Sequence, residues 1–186
     1  SPHGRDVDSS GEYIVGSGKL AALIPVFSFD KMQKAIAAKD YAGEFEGIPV
    51  IKYESVLYGE VKKPGLGPLH TEFDGKGNAY TSFFVSSEIV KWNIKDLKVL
   101  DRASTFYSVG HLCIPGGDSR KPNPKYLIAY NKITKDRYLP TGPELAQSAQ
   151  LFDISGDKMQ LILDFPTIGE PHYAQAIKKK KIKNNS

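Results

Sequence analysis

The chain contains four histidines, His3, His70, His111 and His172, in the contexts SPHG, GPLHT, VGHLC and EPHY. Each lies within two residues of a proline or a glycine, where structural elements begin or end. Imidazole suits zinc, copper, iron and nickel, and the chain's one cysteine, Cys113, rules out a CxxC site or an internal disulfide framework. A site built from histidine, without thiolate or clustered carboxylate, points to zinc or copper. The four are 67, 41 and 61 residues apart, so none forms a local pattern such as HxxxH. Taken singly, a histidine is more often a hydrogen-bonded surface or core residue. Only a repeating architecture could bring these four to one place.

The sequence supplies such an architecture. Short runs rich in β-branched and aromatic residues, Tyr13–Val15, Asn78–Val85, Glu88–Ile94, Lys125–Tyr130 and Lys158–Leu163, follow turn-forming segments such as DSSGE, DGKG and SGD. DVDSSGEYIVGSG and EFDGKGNAYTSFF share an acid, a tight glycine turn and a tyrosine within a strand, and LFDISGDKMQLIL is a looser copy. Loose repeats of antiparallel hairpins predict propeller blades of about 40–50 residues. In a propeller, equivalent positions of successive blades converge on the axis, and the histidine intervals approximate one blade or a blade plus an insertion. The predicted fold is therefore all-β: a partial β-propeller of three to four blades with a short helical insertion. Asp30 is the expected cap of that helix, KMQKAIAAK, whose apolar stripe is Met32, Ala35 and Ile36.

Composition narrows the function classes. At 40% hydrophobic and 25% charged residues the chain is ordinary globular protein, and its longest apolar run, LAALIPVF, is far short of a membrane span. The net charge of +4 resides in the KKKKIKNNS tail; without its five lysines the balance is 20 basic against 21 acidic residues. Residues 178–186 read as a basic linker, and with no basic stripe in the body nucleic acid is not expected as a partner. Gly65–Gly67 and Gly75–Gly77 complete no phosphate loop, DGKGN lacks the later acid of an EF-hand, and no GxSxG elbow occurs. Cys113 beside His111 makes no nucleophile–base dyad by adjacency alone.

GLGPLHTEFDGKGNAYTS, followed by KITKDRYLPTGP, FDISGDKM and GEPH and preceded by SPHG, resembles nitrous oxide reductase over nearly the whole chain. The resemblance implies that residues 1–177 are later blades of a seven-bladed N-terminal propeller, with 19–61 a variable insertion, and that the chain is a piece of a longer protein. It implies a periplasmic homodimer with a tetranuclear copper–sulfide cluster held by seven histidines, of which His3, His70, His111 and His172 match four. A C-terminal cupredoxin domain with a dinuclear copper centre would lie beyond the lysine-rich tail and receive electrons from a small donor protein such as a cytochrome. The implied reaction reduces N2O to N2 and water. Lys132 and Glu170 match positions beside the cluster: the lysine as a proton donor, the carboxylate as a group that holds a ligand imidazole or a water. With three ligands outside it, the chain alone is expected to be inactive.

Two departures stand out. Leu112–Cys113 follows His111 where the commoner form of the family has a further histidine two residues on, which suggests a divergent branch. Gln147 stands where that form has a calcium-binding glutamate, which weakens the expectation of a calcium ion at the Lys132 carbonyl. The competing reading is a non-enzymatic secreted propeller that binds a partner on one face. The histidines separate the two, since a scaffold has no need to bring all four together.

Overall fold

The structure, a computed structural model, describes residues 2–132 and 147–176. Three four-stranded antiparallel sheets follow one another along the chain. The first contains β1 (Pro2–Val7), β2 (Tyr13–Gly18), β3 (Leu23–Ser28) and β6 (Leu57–Lys62). The second contains β7 (Pro68–Phe73), β8 (Asn78–Phe83), β9 (Glu88–Asn93) and β10 (Lys98–Ser104). The third contains β11 (Val109–Cys113), β12 (Tyr126–Asn131), β13 (Ser148–Asp153) and β14 (Gln160–Pro166). Each sheet is a four-strand meander, and the three form a partial propeller. No helix among the described residues is long and apolar enough to cross a membrane.

The middle blade shows how the pattern sets the packing. Its central strands β8 and β9 are buried on both faces, so alternate side chains enter different cores. Ala79, Phe83, Val90 and Trp92 face the first blade, where they meet Val15, Ile24, Val26 and Val61. Tyr80 and Ile89 face the third, against Leu112, Leu127, Ala129 and Phe152. The single tryptophan also ties three strands together. Its indole N–H donates to Thr81 Oγ1 at 2.9 Å, and that hydroxyl lies 2.8 Å from Thr71 Oγ1. Polar links also join neighbouring blades: Asp6 Oδ2 accepts from Thr71 N at 2.8 Å, and Asp101 Oδ2 from Met159 N at 2.7 Å.

The repeated hairpins have a common local cause. Asp8 accepts from Ser10 N and Tyr13 N, Asp74 from Lys76 N and Asn78 N, and Asp153 from Ser155 N, so each aspartate folds its own turn. The first two turns join the first and second strands of their blades. The third joins the third and fourth strands of its blade, so LFDISGDKMQLIL is an outer hairpin and not the equivalent of the other two.

The inserted element differs from expectation in three respects. β3 and β6, at the ends of the 19–61 stretch, are blade strands paired with each other from Leu23↔Lys62 to Phe27↔Leu57. The excursion proper is residues 29–56, with α1 (Phe29–Ala37), a hairpin of β4 (Tyr41–Phe45) and β5 (Ile48–Ile51), and the one-turn α2 (Tyr53–Val56). Ser28, not Asp30, caps α1: its Oγ accepts from Lys31 N at 3.1 Å, while Asp30 lies in the first turn and pairs with Lys34. Both are capping residue types; Ser28 wins because β3 ends there in extended conformation.

Candidate metal centre

His3, His70 and His111 lie near the starts of β1, β7 and β11, the first strand of each blade. All three strands are irregular at the histidine. Register is lost between Pro2 and Arg5, between Pro68 and Thr71 and between Val109 and Leu112. In each case two residues oppose one on the partner strand. A bulge of this kind bends the strand and re-aims a side chain. His70 and His111 are the second residue of their bulges, whereas His3 is the first of its own. Its neighbour Gly4 occupies the position equivalent to His70, where a Cβ would lie 2.3 Å from Leu69 O. Glycine there lets the first blade's inner strand close on the second.

The rings converge. His3 and His70 meet edge to face at 5.0 Å between centroids, His70 and His111 stack at 3.6 Å and 22°, and His111 and His172 lie 4.4 Å apart. His172 reaches the group from the segment beyond β14. Lys132 completes it. The residue directly follows β12 and is buried, and its Nζ lies 2.9 Å from His111 Nδ1 and 3.1 Å from His172 Nδ1. Gly110 makes this contact possible: a Cβ there would meet Lys132 Cε at 2.4 Å.

Electrostatics favour neutral rings. Burial, then the charges of neighbouring histidines and Lys132, lowers His70 to about 4 and His111 to about 3, and burial and Lys19 lower His3. A neutral imidazole keeps one lone pair, the form that binds metals. Burial lowers the Lys132 ammonium too, against the pull of Glu170. His70 Nε2 is buried with no hydrogen-bond partner. Among the described residues no three His, Cys, Asp or Glu side chains already surround a common point as ligands would. The rings are gathered, but only His70 and His111 stack, and His111 and His172 turn Nδ1 toward Lys132.

Glu170 is exposed and touches the site only through its charge on Lys132; the structure gives it no bond to an imidazole. Gln147 N-terminally flanks β13, and its carbonyl accepts from Thr167 N. The KDRYLPTGP segment lies outside the described residues, as does the lysine tail. Sequence reasoning missed two half-buried carboxyl groups on the same strands as His3 and His70. Glu72, two residues past His70, is pushed up to about 8 by burial and by Asp118, and Asp6 is pushed up to about 6 by burial. Alternation along β7 was the available signal, since His70 and Glu72 share a face.

Residues 102–172 match the nitrous oxide reductase propeller repeat. The chain is 36% identical to a nitrous-oxide reductase of Stutzerimonas stutzeri across 98% of its own length, and 38% identical to one of Cupriavidus necator across 92%. This chain is a relative of nitrous-oxide reductase. It spans 28% of the S. stutzeri nitrous-oxide reductase and 27% of the C. necator one. At 34% identity, a nitrous-oxide reductase of Pseudomonas fluorescens aligns over the same 98% of the chain. Solved structures support the fold alone. A chain of the mitotic checkpoint complex aligns with TM-score 0.61 at 10% identity, covering 91% of this chain and 41% of that one. A candidate 6-phosphogluconolactonase from Bacteroides fragilis aligns with TM-score 0.58 at 14% identity, covering 91% of this chain and 43% of that one.

Proposed function

We propose that this chain contributes His3, His70, His111 and His172 to a histidine-held tetranuclear copper–sulfide cluster at which nitrous oxide is reduced to dinitrogen and water. The observation that carries this reading is the convergence of all four histidines, within 5.0 Å from each ring to the next: three from bulged inner strands of successive blades and His172 from the segment beyond β14. The residues fit such a group. They offer neutral nitrogen donors, and the buried, unpartnered His70 Nε2 is a polar atom that a metal bond would satisfy.

When bound, the copper would supply the two electrons that, with two protons, break the N–O bond and release the oxygen as water. The chain's own contribution is positional and acid–base. Bulged strands hold three of the rings in place, and packing between the blades keeps those strands from shifting. Lys132 carries a proton at Nζ beside two of the rings, with burial easing its release and Glu170 opposing it. On this reading the remaining ligands come from other blades of a seven-bladed propeller, and the electrons from a dinuclear copper centre in a second subunit. A small donor protein such as a cytochrome would feed them in the periplasm, and the chain by itself would not turn over N2O. A calcium ion at the Lys132 carbonyl gains little support, since Gln147 replaces a hard carboxylate ligand with a neutral amide.

The test is His70→Ala in the full-length protein that carries this chain. Copper per chain and N2O consumption, followed by gas chromatography, should both fall. Full copper content and an unchanged rate would refute the assignment.

A further inference from the structure

The hydrogen bonds of Lys132 have a consequence for how the site is loaded. An ammonium has three donors and no lone pair, so any ring nitrogen bonded to it must be the acceptor. Lys132 Nζ contacts Nδ1 of both His111 and His172, at 2.9 and 3.1 Å. With Lys132 as the donor, both neutral rings carry their hydrogen on Nε2 and their single lone pair on Nδ1, facing the lysine. A neutral imidazole in that state has no second lone pair to offer. Two of the four histidines thus direct their only metal-binding electrons at a cation the chain itself provides.

Three further observations make this a built contact. Lys132 is 6% exposed, deep for a lysine. Among the described residues no carboxylate forms an ion pair with it, so the imidazoles are its hydrogen-bonding counterparts. Gly110, beside His111 in the bulge, leaves the space its Cε and Nζ occupy, which any larger residue would close.

We propose that Lys132 is a resident cation that competes with metal for His111 and His172, and that copper enters these positions only by displacing it. This rests on the copper reading of the histidine cluster. Once displaced, the ammonium remains beside the rings, where the proton donor of that reading is needed. The lysine would thus guard the nitrogens during loading and serve them afterwards.

Two measurements test it on the full-length protein that carries this chain, prepared free of metal. Two-bond 1H–15N spectra should show His111 and His172 as Nε2–H tautomers, and Lys132→Met should redistribute them. Anaerobic titration with cuprous ion against a competing chelator should show about tenfold or greater tightening in Lys132→Met, since a charge-assisted bond and a like charge are both removed. Gly110→Ala, which crowds the lysine out while keeping it, should shift affinity in the same direction. An Nδ1–H tautomer at either ring in the unaltered chain overturns the proposal, and so does equal or weaker cuprous binding by both variants. Tautomers as expected with no cuprous binding by any of the proteins would overturn the copper reading itself, and the competition with it.

Discussion

Gly4→Ala probes how the blades bring the histidines together. A Cβ at Gly4 would sit 2.3 Å from Leu69 O, a backbone atom that cannot rotate away. Ordinary carbon–oxygen contact requires a retreat of roughly 1 Å. That retreat must occur across the junction of β1 and β7, where the Thr71 N to Asp6 Oδ2 bond of 2.8 Å also crosses. Overpacking at a tight site costs about 1–3 kcal/mol, and stretching the adjacent buried bond adds to it, so a loss of about 2–3 kcal/mol is expected. Urea unfolding followed by tryptophan fluorescence reads the change, because Trp92 is fully buried in the core between these two blades. The midpoint should fall while the slope stays constant. Gly156→Ala is the control: nothing lies within 4 Å of its Cβ and its φ is not in the left-handed region. It should change stability by no more than about 0.5 kcal/mol. A Gly4→Ala loss equally small would refute the close approach of the inner strands, and with it the claim that glycine sets the His3–His70 distance.

Other outcomes follow from the buried polar groups. Thr81→Val removes the oxygen that Trp92 Nε1 and Thr71 Oγ1 share, so denaturant melts should show a loss of about 1–3 kcal/mol, with Thr81→Ser closer to the parent. Glu72, raised to about 8 in the fold from an ordinary 4.5, binds its proton more tightly folded than unfolded. Its contribution is therefore fully present below about pH 4.5 and lost as pH rises through 8. Glu72→Gln should remove that decline, which unfolding midpoints between pH 6.5 and 8 would show. His70 and His111 act with the opposite sign. Lowered to about 4 and 3 from 6.5, they stabilise the fold above pH 6.5, and this is lost as pH falls toward 3. His70→Gln should flatten the acid limb of the same profile.

The parts of this fold that could be read from sequence are those set by nearby residues. Asp8, Asp74 and Asp153 shape their own turns within five residues, so the hairpins were visible as repeats. The same locality misled at the third copy, because an outer hairpin can use the same turn chemistry as an inner one. The four histidines were legible as a set through their intervals and family resemblance. Their bulges were not, since two-against-one pairing depends on a partner strand at least a dozen residues away. Lys132 was flagged by resemblance, but its bonds to rings 21 and 40 residues away depend on blade packing that no local pattern encodes. Glu170, assigned by resemblance to hold an imidazole or a water, is exposed, and Lys132 is the residue whose Nζ lies against two of the rings.

The excursion at 29–56 leaves and returns between two strands that pair with each other as if joined by a short turn. Closing such a loop costs free energy that grows only with the logarithm of its length. The outer rim can therefore gain or lose a cassette of this kind without altering the spacing of the inner strands. Variation at the rim is thus mechanically uncoupled from the histidine cluster, and the ornament at this position could be exchanged with the geometry of the rings left intact.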